Sequence, residues 1–372
     1  MTDPTVPTCS TSPLAEELRR KIRDRGPLPV ADWMALCLGH PQHGYYTTRD
    51  PFGAAGDFTT APEISQMFGE LLGLWAAAAW QLMGAPVPVR LVELGPGRGT
   101  MMADVLRAAR VLPAFRAAMT VHLVETSPVL ERRQRETLAA AGVPIAWHHD
   151  LAAVPDGATI VLANEFFDSL PVHQAVKSVA GWHARTVGLA PDGRFVFDVG
   201  PEDPAVAAQV PEFWRSAPAG AIFEWRDDAV VQAIAARVAR QGAALVVDYG
   251  HVDQDLGETL QAVRAHDFVD PLQNPGEADL TAHVDFCALA RAAAAAGARV
   301  DGPVTQGGFL RQLGIATRAD TLKAAAPQKA AEIDAALARL LDPAKTGMGS
   351  LFKALGLAHP SLLPLPGLDP AP

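Results

Sequence analysis

Residues 89–100 read VRLVELGPGRGT. Six mainly apolar residues run straight into glycines at 95, 97 and 99, and Thr100 opens a helical run of about Met101 to Val111. Apolar runs of this length bounded by glycine are strands. Glycine here permits a tight turn and lets backbone N–H groups approach a ligand at a helix N-terminus. In nicotinamide-binding enzymes the spacing is G-x-G-x-x-G. Here it is E-x-G-x-G-x-G, with the third glycine one residue early and an acid, Glu93, just ahead.

The same alternation continues outward. TVHLVE (120–125) is a second strand, followed by a helix in SPVLERRQRETLAAAG capped by Ser127 or Thr126. Ile145–Trp147 is a third strand, ATIVLA (158–163) a fourth ending in NEFFDSLP, and AALVVDYG (243–250) another that ends in an acid. Strands alternating with helices predict an α/β fold: a parallel, Rossmann-like sheet with helices on both faces. VHQAVKSV, GWHARTVGL and RFVFDVG alternate in polarity, with Pro191-Asp192-Gly193 as a hairpin signal, and predict a β-rich insertion.

Upstream, Leu14, Leu18 and Ile22 share a helical face, and Asp32 is placed to cap a second helix. Thr60 and Glu63 around Pro62 read as a capping box, opening a helix whose face carries Ile64, Phe68, Leu71, Leu72, Trp75, Ala79 and Leu82. Beyond Gly250 the chain reads as loop to about Val284, then as helices from 286, around 321–323 and at 330–341, and ends in a proline-rich tail. The expected organisation is a disordered 1–13, a helical lid region 14–86, a core of 87–171 and 240–300, the β-rich insertion 172–239, a helical region 301–356 and a tail 357–372.

Composition narrows the partners. The chain has 372 residues, 49% apolar and 19% charged, with a formal net charge of −10. That charge repels phosphate backbones, so nucleic acid is not an expected partner, whereas a basic polypeptide is attracted. Three cysteines, Cys9, Cys37 and Cys287, are odd in number and far apart, which argues against a disulfide framework. No metal is expected, since His40, His43, His148 and His149 lack carboxylates at ligand spacing. The longest apolar run, LLGLWAAAAWQLMG, is too short for a membrane span. The first residues, MTDPTVPTCSTSP, contain neither a signal-peptide core nor an arginine-rich leader. The expected location is therefore a bacterial-type cytoplasm, with oligomeric state open and a homodimer among the options.

The candidate site is built around the glycine turn. A carboxylate at Glu93 repels a pyrophosphate and suits a cationic ligand such as the sulfonium and amino group of S-adenosylmethionine. Gly95, Gly97 and Gly99 form the cradle, and Glu125, ending the second strand, is placed to accept two ribose hydroxyls. Asp150 and Leu151 follow the third strand, where an acid and the next N–H contact adenine. Asn164 follows the fourth strand. Glu165 and Asp168, three apart, face the same way in a helical turn and form a carboxylate pair suited to a guanidinium. His283 precedes a helix capped by Asp285 and is a candidate base or positioning group. Asp248 either borders the cleft or is a plain strand-end acid. Asp57, Thr59 and Thr60, after Gly56, are expected to close over the methionine end of the cofactor.

The set GDFTTAPEISQMFGE, VELGPGRGT, LVETSP, NEFFDSLPV, VVDYGH, GETLQAVRAH, DLTAHVDF, TQGGFLRQLGI and MGSLFKALG resembles the MidA-like family over about residues 14–365. The resemblance implies a class I methyltransferase fold using S-adenosyl-L-methionine. It further implies a protein arginine acceptor, by analogy with a mitochondrial member that acts on a respiratory-complex subunit. By motif, Glu93, Gly95, Gly97 and Gly99 correspond to the cofactor loop, Glu125 to the ribose acid and Asn164–Asp168 to the catalytic loop. Thr281-Ala282-His283 looks like the threonine-histidine loop of arginine methyltransferases. A small-molecule N- or O-methyltransferase and a non-catalytic assembly factor are the alternatives, because a fold does not fix the acceptor.

Overall fold

The computed structural model describes residues 12–50, 60–253 and 255–369. The chain divides into two compact units: residues 1–51, 169–227 and 255–282 form one, and residues 52–168, 228–254 and 283–372 form the other.

The larger unit is built on an eight-stranded sheet. Its strands are β1 (Val89–Leu94), β2 (Met119–Val124), β3 (Ile145–His148), β4 (Thr159–Asn164), β5 (Gly242–His251), β6 (Val284–Asp285), β7 (Arg299–Thr305) and β8 (Phe352–Ala358). The order is β7-β8-β5-β4-β1-β2-β3, with β6 pairing β5. The five strands from β5 to β3 run parallel, and β8 is antiparallel to β5 and β7. Its helices are α1 (Ala61–Ile64), α2 (Gln66–Leu82), α3 (Thr100–Ala108), α4 (Pro113–Ala118), α5 (Pro128–Thr137), α6 (Ala229–Gln241), α7 (Phe286–Ala295), α8 (Gln306–Gln312), α9 (Ile315–Ala325), α10 (Ala330–Leu340) and α11 (Met348–Leu351). Among the described residues no helix is long and apolar enough to cross a membrane.

The central strands are buried on both faces, which is why they read as near-continuous apolar runs. β4 is buried along its whole length. On one face α2 buries Phe68, Leu72 and Trp75 against the sheet, each at 2% exposure or less. Each such side chain contributes about 1.5–3 kcal/mol relative to solvent exposure. Gly69 and Gly73 let α3 approach α2 closely: a Cβ on Gly73 would lie 2.7 Å from the Val105 carbonyl oxygen. Glu70, on the same helix, receives Arg107 from α3 and Arg318 from α9, at 2.9 and 2.7 Å.

The structure departs from four expectations. Thr60 makes no side-chain cap, and the helix does not run unbroken from it. Ser65 is extended (φ −160°, ψ 135°), ends α1, and caps α2 by accepting from the Met67 amide. Glu63 is therefore not a capping-box partner: its Oε1 accepts from the Thr100 hydroxyl at 2.6 Å. The region 301–356, expected to be helical, also contributes β7 and β8. Asp32 lies inside its helix (Val30–Gly39), which starts after Pro29, and the loop expected before Val284 contains strands.

The smaller unit has an antiparallel five-stranded sheet of residues 28–29, 173–177, 182–189, 195–202 and 222–225. A second sheet joins residues 261–264, 267–269 and 279–281. Trp33 is buried against Phe195, with ring centroids 4.7 Å apart, and its indole N–H donates to the Pro271 carbonyl at 3.1 Å. Glu224 accepts from the Thr259 amide and the Gln174 amide group, tying the GETLQ stretch to the larger of these sheets.

Candidate functional site

The chain proceeds from β1 to β2 and β3 on one side, and returns to β4 and β5 on the other. The strand order thus reverses between β1 and β4, and a ligand crevice is expected beyond their carboxyl ends. Leu94, the last residue of β1, is level with Val124 of β2 and Ala163 of β4, so the glycine turn, Glu125 and Asn164-Glu165 leave the sheet at one height. An open cavity lies there, lined by Thr60, Glu63, Glu93, Gly95, Gly97, Arg98, Asn164 and Glu165 among others.

Gly95, Gly97 and Gly99 have φ of 60°, 53° and 80°, the left-handed region that other residues avoid. A Cβ on Gly95 would also lie 2.9 Å from the Phe166 ring. Glu93, 2% exposed, is carried by the sheet to the cavity wall. Burial, and then the nearby Glu125 carboxylate, push its carboxyl up to about 8. Its Oε2 and the Asn164 Oδ1 are buried acceptors without a hydrogen-bond partner. Two unmatched acceptors on an acidic wall fit a ligand with ammonium or sulfonium character, and the side-chain-free turn fits close backbone contact. The residues present therefore fit S-adenosyl-L-methionine.

Glu165 follows β4 with φ 49°. Its Oε1 accepts from the Ala61 amide at 3.1 Å and from the Asn164 side chain at 3.2 Å. Burial, and then the Asp168 carboxylate, raise its carboxyl to about 7. Asp168 is buried. Asp248, expected as a strand-end acid, lies wholly buried inside β5, which continues to His251, and is not among the cavity-lining residues; its carboxylate accepts backbone N–H groups of the 166–168 turn.

Glu125, Asp150, Leu151 and His283 are not among the residues that line this cavity. Glu125 is buried, accepting from the Thr126 and Ser127 amides at 2.8 and 2.7 Å and from Gln134 at 2.9 Å; burial raises its pKa. Asp150 is exposed and caps the short turn Leu151–Ala153 by accepting from the Ala152 amide. Leu151 is buried. His283, held by β6 beside β5, meets the Tyr249 ring edge-on with centroids 5.6 Å apart. Asp57 and Thr59, with Gly56, lie outside the described residues.

Three residues take places at the site that the sequence reading did not give them. Gln134, fully buried, donates to both the Gly97 carbonyl and Glu125 and accepts from the Trp147 indole, so one amide ties the glycine turn to the ends of β2 and β3. Glu63 and Arg98 face each other on the cavity wall, 4.0 Å apart. No spacing marks them, because their meeting depends on α1 reaching α3.

A doubly wound sheet with a glycine cradle and an acid at its switch point defines a S-adenosyl-L-methionine-dependent methyltransferase. The chain matches a family of S-adenosyl-L-methionine-dependent methyltransferases over residues 71–304. It is 38% identical over 377 residues to the protein arginine methyltransferase NDUFAF7 homolog, mitochondrial, of Drosophila melanogaster, covering 92% of this chain and 84% of that one. It is 38% identical over 380 residues to the Mus musculus protein arginine methyltransferase NDUFAF7, mitochondrial, covering 94% and 86%. A crystal structure from Burkholderia thailandensis bound to S-adenosyl-homocysteine superposes with a TM-score of 0.82 at 29% identity, covering 98% of this chain and 96% of that one. The chain belongs to this methyltransferase family. The expected cytoplasmic location is overturned: these curated relatives are mitochondrial proteins. Location is set by segments that import machinery reads, and the composition of the folded part does not encode it.

Proposed function

We propose that the chain transfers methyl groups from S-adenosyl-L-methionine to an arginine guanidinium of a protein. The observation that carries this reading is the Glu165 carboxylate on the wall of the switch-point cavity, with the buried Asp168 carboxylate near enough to raise its pKa. A guanidinium is permanently protonated and its lone pairs are delocalised. Two carboxylates counter that by drawing the charge toward one edge of the fork and aiming another nitrogen at the methyl donor. Glu165, raised to about 7, is suited to take the proton the nitrogen loses on methylation. Bound in the cavity, the cofactor supplies the electrophilic methyl group. Glu93 and Asn164 would receive its cationic end, Arg98 would meet its carboxylate, Glu125 would hold the ribose, and Asp150 with the Leu151 amide would hold the adenine. His283 borders the acceptor side.

The relatives named protein arginine methyltransferase support an arginine acceptor. A respiratory-complex subunit is the first candidate, by the MidA-like resemblance, and we propose that the acidic chain attracts it as a basic segment. The test uses labelled cofactor and lysate from cells lacking the enzyme, with labelled protein identified by mass spectrometry. Methylarginine in a polypeptide is expected; label confined to small molecules overturns the reading. Glu165→Gln is expected to bind S-adenosylhomocysteine within about twofold of wild type and to lose transfer by about a hundredfold or more.

A further inference from the structure

Glu165 occupies a left-handed backbone conformation, φ 49°, that costs free energy for any residue with a Cβ. Such a residue persists only where its surroundings over-determine it. Here the determinant comes from Val247 and Asp248 of β5, distant in sequence. Oδ2 of Asp248 accepts from three consecutive amides: Phe166 at 3.1 Å, Phe167 at 2.9 Å and Asp168 at 3.3 Å. Its Oδ1 accepts from the Tyr249 amide at 3.0 Å, which fixes the carboxylate plane. One residue earlier in β5, the Val247 carbonyl accepts the Glu165 amide at 2.9 Å. Successive N–H groups that converge on one anion form a nest, and the chain must turn sharply to present them. Four consecutive amides are thus gripped by two consecutive residues of β5, which holds the turn at Glu165.

We infer that Asp248 is a positioning residue for methyl transfer: its buried carboxylate locks the Asn164–Asp168 turn and so aims Glu165 at the cofactor cavity. The inference rests on the reading of Glu165 as the acceptor clamp. Asp248 itself touches neither cofactor nor acceptor in this account. An asparagine of the same shape cannot serve both sides, because its amide group turns a donor either toward the three amides or toward Tyr249. A buried donor facing a donor opens the turn.

The test compares wild type, Asp248→Asn and Glu165→Gln. In Asp248→Asn, affinity for S-adenosylhomocysteine by calorimetry is expected to stay within about threefold, while transfer of labelled methyl to the lysate polypeptides falls about tenfold or more. Hydrogen exchange at amides 166–168 is expected to be slow in wild type and to accelerate in Asp248→Asn, with β1 and β4 unchanged. Transfer within about twofold of wild type, or cofactor affinity lost in parallel with transfer, overturns the inference. If Asp248→Asn does not fold, wild-type exchange decides: amides 166–168 exchanging at the rate of exposed loops overturn it. If wild type transfers no label, or Glu165→Gln transfers as wild type does, the clamp reading fails instead, and the exchange measurement still judges the hold of Asp248 on the turn.

Discussion

At the residue scale, Glu93 has the most direct consequence. Its carboxyl, raised to about 8, is protonated in the free protein at neutral pH. A cationic ligand favours the ionised form, so binding releases a proton and affinity rises with pH up to about 8. Calorimetry in buffers of different ionisation heat is expected to show that proton, and Glu93→Gln to abolish both it and the pH dependence. The stability consequence has the opposite sign. The folded state holds this proton more tightly than an unfolded carboxyl near 4.5, so the free protein loses stability as pH rises from there toward 8. Glu165 acts likewise through about 7, so kcat/KM for methyl transfer is expected to fall as pH drops below that value. The acids beside the glycines were legible because motif and strand end coincide. Gln134 and Asp248 had roles that were not: a lone glutamine and a strand-end acid carry no signal until β5 and α5 bring them to their partners.

At the element scale, the break between α1 and α2 determines the cavity wall. A single amphipathic helix accounts for the apolar face from Phe68 to Leu82, but not for what Glu63 touches. Ser65 ends α1 and starts α2, and this leaves Glu63 beside Thr100 and Arg98 at the start of α3. Gly69 and Gly73 then set how closely α3 lies on α2. Gly73→Val is expected to destabilise the fold by about 1–3 kcal/mol through overpacking against Val105. Thermal unfolding measures this directly, and a melting temperature equal to wild type would show that the α2–α3 contact is looser than described.

At the scale of the whole molecule, the chain threads its two units in turn, and the smaller one collects three separate stretches. Residues 14–50, which sequence spacing suggested as part of a helical lid region, fall in that smaller unit, and α6, which starts inside 172–239, falls in the larger. Ligand linkage provides a global test. S-adenosylhomocysteine at a hundred times its Kd stabilises the folded state by about 2.7 kcal/mol. A rise of several degrees in melting temperature is expected, with none from NAD, since the E-x-G-x-G-x-G spacing is not that of a pyrophosphate cradle.

The sequence by itself determined the parallel sheet, the glycine turn and the acids at the strand ends, because these rest on local periodicity and on backbone freedom that only glycine has. It also carried the family, through long uncommon motifs. It did not determine the partners of Glu63, the clasp of Gln134, the entry of Phe352–Ala358 into the sheet beside β5, or the hold of Asp248 on the Glu165 turn. Those depend on contacts between residues tens to hundreds of positions apart, which no local pattern encodes. Only the tertiary structure brings a carboxylate of β5 to the amides that follow β4.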